Sequence, residues 1–331
     1  MMRRAKVLAA DVGGTKTLVG VFGPAGELLG KEQYPSTAFP GLEPLLEAFL
    51  EAQGISGAGL LDAACLAVAG PVSDGEARLT NLPWAVRTEE LAARLGIAKV
   101  ALVNDFEAVA AGIQELEPQD CRVLQQGIAQ PRGVRAVLGA GTGLGAGWLA
   151  WQEGEYVCYP SEGSHGDFAP ADALQAELWR VLQGRYGHVS WERVVSGPGL
   201  ADIYRFLAER AGSAARASDP ESISARALAG NDPLAEQALD VFVSAYGAFA
   251  GNWALATLPR GGLYVAGGIA GKIAPKLAQG AFMAAFRDKG RYAALLETIP
   301  VRVVLRPDVG LWGAARLGRR LRMRDNAKKA E

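Results

Sequence analysis

The chain has 331 residues, of which 50% are hydrophobic and 21% charged, and its formal net charge at pH 7 is -1. This length suggests two domains, and the near-zero charge gives no reason to expect nucleic acid or an anionic membrane as a partner. The three cysteines, Cys65, Cys121 and Cys158, stand far apart, so neither a structural zinc site nor a disulfide framework is expected, which fits a reducing cytoplasm.

Two long uncharged runs, residues 136–152 and 241–259, are candidates for membrane spans. The first is dense in glycine and predicts two strands and a turn. The second holds Ser244, Asn252 and Thr257 and has no basic cluster beside it, so it predicts a helix buried in a large core. No membrane association is expected from either run.

Strands, glycine turns and helices alternate through the first hundred residues. The predicted elements are a hairpin over 5–23 that bends at Gly13 and Gly14, a strand over 27–34, a helix over 42–53, a strand over 63–69 and a helix over 89–95 capped by Thr88. This order is typical of an α/β lobe with a mixed sheet.

The stretch from Lys99 to Gly112 is the centre of this lobe. Val100 to Val103 is an apolar run that predicts a buried strand, and the following residues have helical spacing, with Phe106, Val109, Ala110 and Ile113 on one face. Asn104 and Asp105 lie between the two. Asp105 could cap the helix, or it could lie in the ligand crevice that open α/β sheets form at strand ends.

The second half of the chain begins with another hairpin. It starts at Gly133, bends at residues 139–145 and turns again at Glu153–Gly154. A mainly helical region follows from 171 to about 258, then a strand over 263–266 and a last helix from near 310 to about 323. A hairpin with a glycine bend in each half predicts two related lobes with a cleft between them.

The two glycine bends are candidate phosphate sites. Asp11-Val12-Gly13-Gly14-Thr15 offers consecutive amides, a hydroxyl and a carboxylate that would need a cation such as Mg²⁺ near a phosphate, although a plain hairpin turn would look the same. The bend over 139–145 fails the dinucleotide spacing, because Leu144 stands where the last glycine should be.

The loop over 161–167 contains two carboxylates and an imidazole. Glu162 and His165 have a spacing found in metal sites, but a third ligand is not evident nearby. The same groups suit a hydroxyl-rich ligand such as a sugar, since carboxylates accept and imidazole can donate hydrogen bonds. Glu192 is predicted to be an acid in the first turn of another helix. His188 is predicted to be a structural residue.

Together, the motifs of this chain resemble bacterial glucokinases of the non-zinc type, in the superfamily of sugar kinases, actin and heat-shock ATPases. The resemblance runs nearly end to end and is carried by DVGGT (11–15), NLPW (81–84), LVNDFEAVAAG (102–112), GAGTGLG (139–145), EGSHGDFAP (162–170), GHVSWERVVSGPGL (187–200), VAGGI (265–269) and DKGR (288–291). The absence of a cysteine cluster separates the sequence from the related zinc-containing branch.

The resemblance implies an α/β, two-lobed actin-like ATPase fold with ribonuclease H-like lobes. The small domain would comprise 1–113 and about 302–325, the large domain 114–301, and 326–331 would be a flexible tail. The implied activity is ATP-dependent phosphorylation of D-glucose at its 6-hydroxyl, with ATP and Mg²⁺, by a cytoplasmic homodimer that feeds glycolysis. A related hexose or amino-sugar kinase, a non-catalytic sugar sensor and an NAD(P) oxidoreductase are the alternatives.

The resemblance also assigns roles to single residues. Asp105 would be the catalytic base, and the other glucose ligands would be Asn104, Glu162, His165 and Glu192. The ATP contacts would be Ala10, Asp11, Val12, Gly13, Gly14, Thr15, Gly141, Thr142, Gly143, Gly267 and Gly268, with Mg²⁺ near Asp11. Lys16, Ser161 and Ser164 depart from the family pattern, and the two serines bear on the flexibility of their loop.

Overall fold

A computed structural model describes residues 6–55, 60–79, 82–215, 217 and 219–328. The chain divides into two compact units, the first reaching Leu116 and resuming at Asp308, the second spanning Glu117–Pro307. Asn81, with which the NLPW motif begins, and residues 329–331 of the predicted tail lie outside the described residues. Among the helices described, none combines the length and apolar composition needed to cross a bilayer.

The first unit is built on a sheet whose strands follow the predicted pattern. Its elements up to Leu116 are β1 (Val7–Val12), β2 (Lys16–Phe22), β3 (Leu28–Pro35), α1 (Leu42–Ala52), β4 (Ala63–Val68), β5 (Val72–Ser73), β6 (Glu76–Arg78), β7 (Ala85–Arg87), α2 (Thr88–Leu95), β8 (Val100–Asn104) and α3 (Asp105–Gly112). The five-stranded sheet has the order β3-β2-β1-β4-β8, with β1, β4 and β8 parallel. Parallel strands that end side by side bring Asp11 of β1 and the β8–α3 junction to the same edge.

The predicted cap of α2 is wrong. Arg87 precedes the helix without a capping side chain, and Thr88 is its first residue. Thr88 is held inside the helix start by the neighbouring turn: its amide donates to the Gly75 carbonyl at 2.9 Å, and its hydroxyl lies against Gly75, where a Cβ would be 2.5 Å from Oγ1. The three short strands β5, β6 and β7 form a separate small sheet there.

The second unit contains a larger mixed sheet covered by helices. Its elements are β9 (Cys121–Gln125), β10 (Arg135–Ala140), β11 (Leu144–Gln152), β12 (Glu155–Ser161), α4 (Ala173–Tyr186), α5 (Trp191–Val194), α6 (Gly197–Arg210), α7 (Pro220–Ala229), α8 (Pro233–Thr257), β13 (Gly262–Ala266), α9 (Gly267–Lys272), α10 (Ala274–Leu277), α11 (Ala281–Arg287), α12 (Ala293–Glu297) and β14 (Val301–Val304). The sheet order is β12-β11-β10-β13-β14-β9. Both predicted hairpins and the strand over 263–266 are confirmed.

The long helix α8 is buried, as its uncharged sequence predicts. Gly247 and Gly251 lie against the carbonyls of Phe282 and Phe286 of α11, where any Cβ would overlap the backbone. The small-residue spacing in α8 therefore serves close packing between two helices in the core of this unit.

Helix α13 (Val309–Lys328) completes the first unit and extends beyond the predicted end at residue 323. It packs on α3 at very short distance, because Gly112 and Gly313 leave no side chain between the helices and a Cβ on Gly313 would overlap the carbonyl of Ala108. Of the four apolar residues predicted to share one face, Ala110 and Ile113 are buried and Phe106 and Val109 are half-buried, while Ala108 and Gly112 are buried as well.

Candidate active site

Two neighbouring polar residues at the junction between β8 and α3 have different roles. Asn104 is the N-cap of α3: its Oδ1 accepts hydrogen bonds from the amides of Phe106 at 2.9 Å and Glu107 at 3.4 Å, and its Nδ2 donates to the carbonyl of Gly70 at 3.3 Å. Asp105 is the first helical residue, and its Oδ1 also accepts from the Phe106 amide, at 2.8 Å. The cap is therefore provided by Asn104, and α3 does not require a carboxylate at position 105.

Burial raises the pKa of Asp105 above its ordinary value, although hydrogen bonds from backbone amides oppose the rise. The half-buried carboxylate thus holds a proton more readily than a solvated aspartate does. A group of this kind is suited to accept a proton from a bound hydroxyl near neutral pH.

Asp11 lies near the end of β1 in the same unit. Burial, followed by the negative charge of Asp105, raises the pKa of Asp11 to about 6, while the positive charge of Lys16 lowers it. A Cβ on Gly310, in the first turn of α13, would be 2.7 Å from Asp11 Oδ2. The carboxylate therefore lies against a helix N-terminus, whose dipole favours negative charge.

The bend after Asp11 is fixed by a residue that sequence reasoning missed. The Gly13 amide donates to the Lys16 carbonyl at 3.0 Å and closes the turn. The buried Ser36 donates from its hydroxyl to the Gly13 carbonyl at 2.7 Å and from its amide to the Thr15 carbonyl at 3.0 Å. Ser36 lies in a short 3-10 turn after β3, and no local pattern marks it as a support for a loop twenty residues earlier.

The second glycine bend, Gly141–Gly143, joins β10 to β11 and is held on several sides. The Gly141 amide donates to the Gly143 carbonyl, and the Gly197 amide donates to the Gly141 carbonyl, both at 2.8 Å. At the end of the bend, the Leu144 amide donates to Oε2 of Glu192 at 2.9 Å. The bend is thus a fixed feature that exposes Thr142.

A cavity of about 480 Å³ lies beside this bend in the second unit. Three of the predicted nucleotide contacts line it, namely Gly141, Thr142 and Gly268. The other lining residues are Gly197, Pro198, Leu200, Asp219, Pro220, Glu221, Ser224, Ile269, Lys272 and Ile273. A volume of this order and a mixed apolar and polar lining suit a nucleoside-sized ligand.

Most of that lining could not be predicted, because α6, α7 and α9 converge on the cavity from distant parts of the sequence. Lys272 and Glu221 form an ion pair at 2.8 Å there, with both side chains more than half exposed. Next to the cavity, Gly267 has φ +85, and a Cβ on it would be 2.5 Å from the Ala140 carbonyl. Glycine is required at this position because the backbone is left-handed and closely approached.

The three predicted sugar ligands of the second unit come together. His165 Nε2 is 3.5 Å from Glu162 Oε2, and His165 Nδ1 is 4.0 Å from Glu192 Oε1. His165 ends a 3-10 turn in which the Gly163 amide donates to the Ser161 hydroxyl at 3.0 Å, so Ser161 fixes this loop. Within the described part of the chain, no cluster of three or more histidine, cysteine, aspartate or glutamate residues could hold a metal ion.

His188 contacts Asp167 and is not part of the group formed by Glu162, His165 and Glu192. Its Nε2 is 2.8 Å from Oδ1 of Asp167, and both side chains are exposed. The predicted site residues therefore form two groups by unit: Asp11, Asn104 and Asp105 with the first bend, and Glu162, His165 and Glu192 with the second bend.

Comparisons with known proteins identify the family. A family model described as Glucokinase matches residues 8–321. The chain is 47% identical to a glucokinase of Synechocystis sp., an alignment that covers 93% of this chain and 96% of that protein, and 36% identical to a glucokinase of Mesorhizobium japonicum, covering 96% and 92%.

Solved structures extend the likeness to three dimensions. A glucokinase from an Antarctic psychrotroph superimposes with a TM-score of 0.83 at 31% identity, covering 95% of this chain and 99% of that one. The predicted α/β, actin-like ATPase fold is confirmed by this likeness. The matched family model and the curated relatives, both spanning nearly all of the sequence, establish that the chain belongs to the glucokinase family.

Proposed function

We propose that the chain transfers the γ-phosphoryl group of ATP to the 6-hydroxyl of D-glucose, giving glucose 6-phosphate and ADP. The relatives named glucokinase, at up to 47% identity over 93% of the chain, support this reaction. The observation that carries the proposal is at residues 104 and 105: Asn104 caps α3, while Asp105 keeps a half-buried carboxylate with a raised pKa. A carboxylate that the helix does not need for its cap is available for chemistry.

Asp105 is the general base of the proposed reaction. The transition state of phosphoryl transfer is loose, so the enzyme has to position the alcohol, balance charge and take up one proton. The carboxylate accepts the proton of the 6-hydroxyl as its oxygen bonds to phosphorus. Asn104 contributes to binding the sugar through its Nδ2, which has a second hydrogen besides the one given to Gly70.

Glu162, His165 and Glu192 bind the remaining sugar hydroxyls in the proposal. Their separations of 3.5 and 4.0 Å support one polar surface. Carboxylates accept hydrogen bonds from hydroxyls, and the imidazole can donate one. The exposed side chains of Glu162 and His165 are accessible to a ligand from solvent.

ATP binds to the two glycine bends in the proposal. Gly141, Thr142 and Gly268 line the cavity of about 480 Å³ that takes the nucleoside, and Gly143 and Gly267 are their neighbours in the chain. In the first bend, the amides of Gly14 and Thr15 and the Thr15 hydroxyl cradle phosphate oxygens, while the Gly13 amide closes the turn by donating to the Lys16 carbonyl. Thr15 is exposed and Gly13 and Gly14 are half-buried, so this bend is accessible.

The residues around Asp11 fit Mg²⁺. Asp11 and Asp105 are carboxylates close enough for the charge of one to raise the pKa of the other, and a cation that favours oxygen ligands would relieve this repulsion. Asp11 is the residue that would hold the ion, directly or through water. When bound, Mg²⁺ neutralises charge that develops on the phosphates.

The proposal includes a cellular setting. A reducing cytoplasm suits the free thiols of Cys65, Cys121 and Cys158. Glucose 6-phosphate enters glycolysis, and a homodimer is the assembly that the family resemblance implies.

A coupled assay of ADP release with a panel of hexoses and phosphate donors tests the proposal. We expect glucose-dependent ADP release with ATP and Mg²⁺, and weaker signals with mannose and glucosamine. ATP and glucose binding without turnover would favour a sugar sensor, and a preference for glucosamine would favour an amino-sugar kinase. Nicotinamide fluorescence changes with no kinase activity would favour an oxidoreductase.

A further inference from the structure

Tyr246 places a hydroxyl between the two glycine turns that border the cavity. The residue lies in the middle of α8, and its side chain is fully buried. Its Oη accepts a hydrogen bond from the Ala140 amide at 3.1 Å and donates one to the Ala266 carbonyl at 3.5 Å. Burial raises the pKa of Tyr246 above its ordinary value, so the hydroxyl stays protonated and can donate at neutral pH.

The two backbone groups that it joins end neighbouring strands. Ala140 is the last residue of β10 and Ala266 the last of β13, and the parallel ladder between these strands ends at the pair Gly139 and Ala266. Gly141 follows the first strand and Gly267 the second. The tyrosine hydroxyl therefore bridges the strands at the point where their own hydrogen bonding stops.

The turns that follow need support from outside. Glycine stands at both ends of the Gly141–Gly143 bend and at the first two positions of α9, and it brings no side chain to anchor the backbone there. A buried amide without a partner is costly, so the Ala140 amide depends on the tyrosine once the ladder has ended. Gly267 approaches Ala140 so closely that a shift of either turn would be transmitted to the other.

From these contacts we infer that Tyr246 is a positioning residue for the nucleotide, because its hydroxyl fixes the spacing between the Gly141–Gly143 bend and the Gly267–Gly268 turn. It acts through backbone and does not touch the nucleotide. This inference rests on the proposed binding of ATP at these turns.

The test compares Tyr246→Phe with a matched control, Tyr204→Phe. Tyr204 is also fully buried in the second unit, and its hydroxyl donates to Asp232 Oδ2 at 2.8 Å, at the N-cap of α8 and not at a glycine turn. Each variant removes one buried hydroxyl and keeps the ring. We expect both to melt at a lower temperature, but only Tyr246→Phe to raise the KM for ATP and the Kd for AMPPNP, by roughly threefold to thirtyfold. The KM for glucose should change less than twofold.

Two results would overturn the inference: an ATP KM for Tyr246→Phe within twofold of the wild type, or an equal rise in Tyr204→Phe. The inference rests on nucleotide binding, and failure of that binding is distinguishable, because the wild-type protein itself would then not bind AMPPNP. Should Tyr246→Phe not fold, hydrogen exchange of the wild-type protein decides. Slow exchange of the Ala140 amide, slowed further by AMPPNP, supports the inference, and exchange as fast as in exposed turns contradicts it.

Discussion

Glu192 accepts a hydrogen bond at 2.9 Å from the amide of Leu144, the residue with which β11 begins after the Gly141–Gly143 bend. The other oxygen of the same carboxylate lies 4.0 Å from Nδ1 of His165. One side chain thus contacts both the proposed phosphate bend and the proposed sugar ligands of the second unit. If sugar binds at Glu192 as proposed, it can therefore affect the geometry of the proposed nucleotide loop.

Substitutions at Glu192 and Glu162 should separate these two contacts. Glu192→Ala removes the acceptor of the Leu144 amide, so we expect weaker binding of both glucose and AMPPNP in titration calorimetry. Glu192→Gln keeps an oxygen for that amide and should weaken glucose alone. Glu162→Gln is the matched control without a loop contact, and its glucose affinity should fall by roughly tenfold to a hundredfold with AMPPNP binding unchanged. Equal effects of Glu192→Ala and Glu162→Gln on AMPPNP would show that the Leu144 contact has no role in nucleotide binding.

His165→Ala should behave as Glu162→Gln does. The imidazole is within 3.5 Å of Glu162 Oε2 but makes no hydrogen bond to the glycine bend among the described residues. We expect a higher KM for glucose and an unchanged Kd for AMPPNP in calorimetry. Parallel loss of both ligands would indicate a folding defect, which circular dichroism would reveal.

Asp105→Asn should lower turnover without lowering stability. The cap of α3 is Asn104, and an asparagine at 105 can still accept from the Phe106 amide, so the fold should be retained. Since burial disfavours the ionised carboxylate, the melting temperature at pH 7 should be equal or higher. Turnover should fall about a hundredfold to ten-thousandfold, because the amide cannot accept the proton. A variant with near-normal turnover would refute the role of Asp105 as the base.

Local sequence patterns were sufficient for the strands of both hairpins, for β3, β4, β8 and β13, for the bends and for α8, but not for β5, β6, β7, β9 and β14. Apolar periodicity and glycine pairs are properties of adjacent residues, and they place the hairpin of β1 and β2 and the bend at Gly141 without tertiary information. The grouping of Glu162 with His165 is equally local, since the two residues belong to one short turn.

The features that could not be predicted from the sequence depend on contacts between distant residues. Asn and Asp cap helices about equally well, so the choice between Asn104 and Asp105 required the actual end of β8. The buried face of α3 is set by Gly313, about two hundred residues later. Tyr246 and Ser36 support their loops from remote elements, and no spacing rule links them to those loops.

The ionisation of Asp11 should reduce stability in a defined pH range. The pKa of Asp11 is about 6 in the folded protein against an ordinary value of 3.8, so the folded state binds more protons between these values. The free energy of unfolding contributed by this group therefore falls as the pH rises from about 4 to about 6. Asp11→Asn lacks this loss, and the melting temperature of the variant minus that of the wild type should increase from pH 4 to pH 7. A difference independent of pH would contradict the shifted pKa.

Asp11→Asn should also have a weaker response to Mg²⁺ in the activity assay. If Asp11 holds Mg²⁺, Asp11→Asn should require a higher Mg²⁺ concentration for half-maximal ADP release, while glucose affinity by calorimetry stays close to that of the wild type. For the wild type, the Mg²⁺ concentration needed for half-maximal activity should rise as the pH falls through about 6, because protons compete with the metal for Asp11. An unchanged Mg²⁺ requirement would remove Asp11 from the proposed metal site.

Gly313→Ala should show how strongly α3 depends on α13. A Cβ at this position would overlap the Ala108 carbonyl, so the helices would have to separate, at a cost of about 1–3 kcal/mol in the free energy of unfolding. Turnover should also fall, since Asp105 is the first residue of α3. Gly184→Ala in α4 is the matched control: a Cβ there meets nothing within 4 Å, and the substitution should leave stability unchanged or raise it by up to about 1 kcal/mol. Urea denaturation of both variants measures the difference, and similar midpoints would show that α3 and α13 can separate without loss.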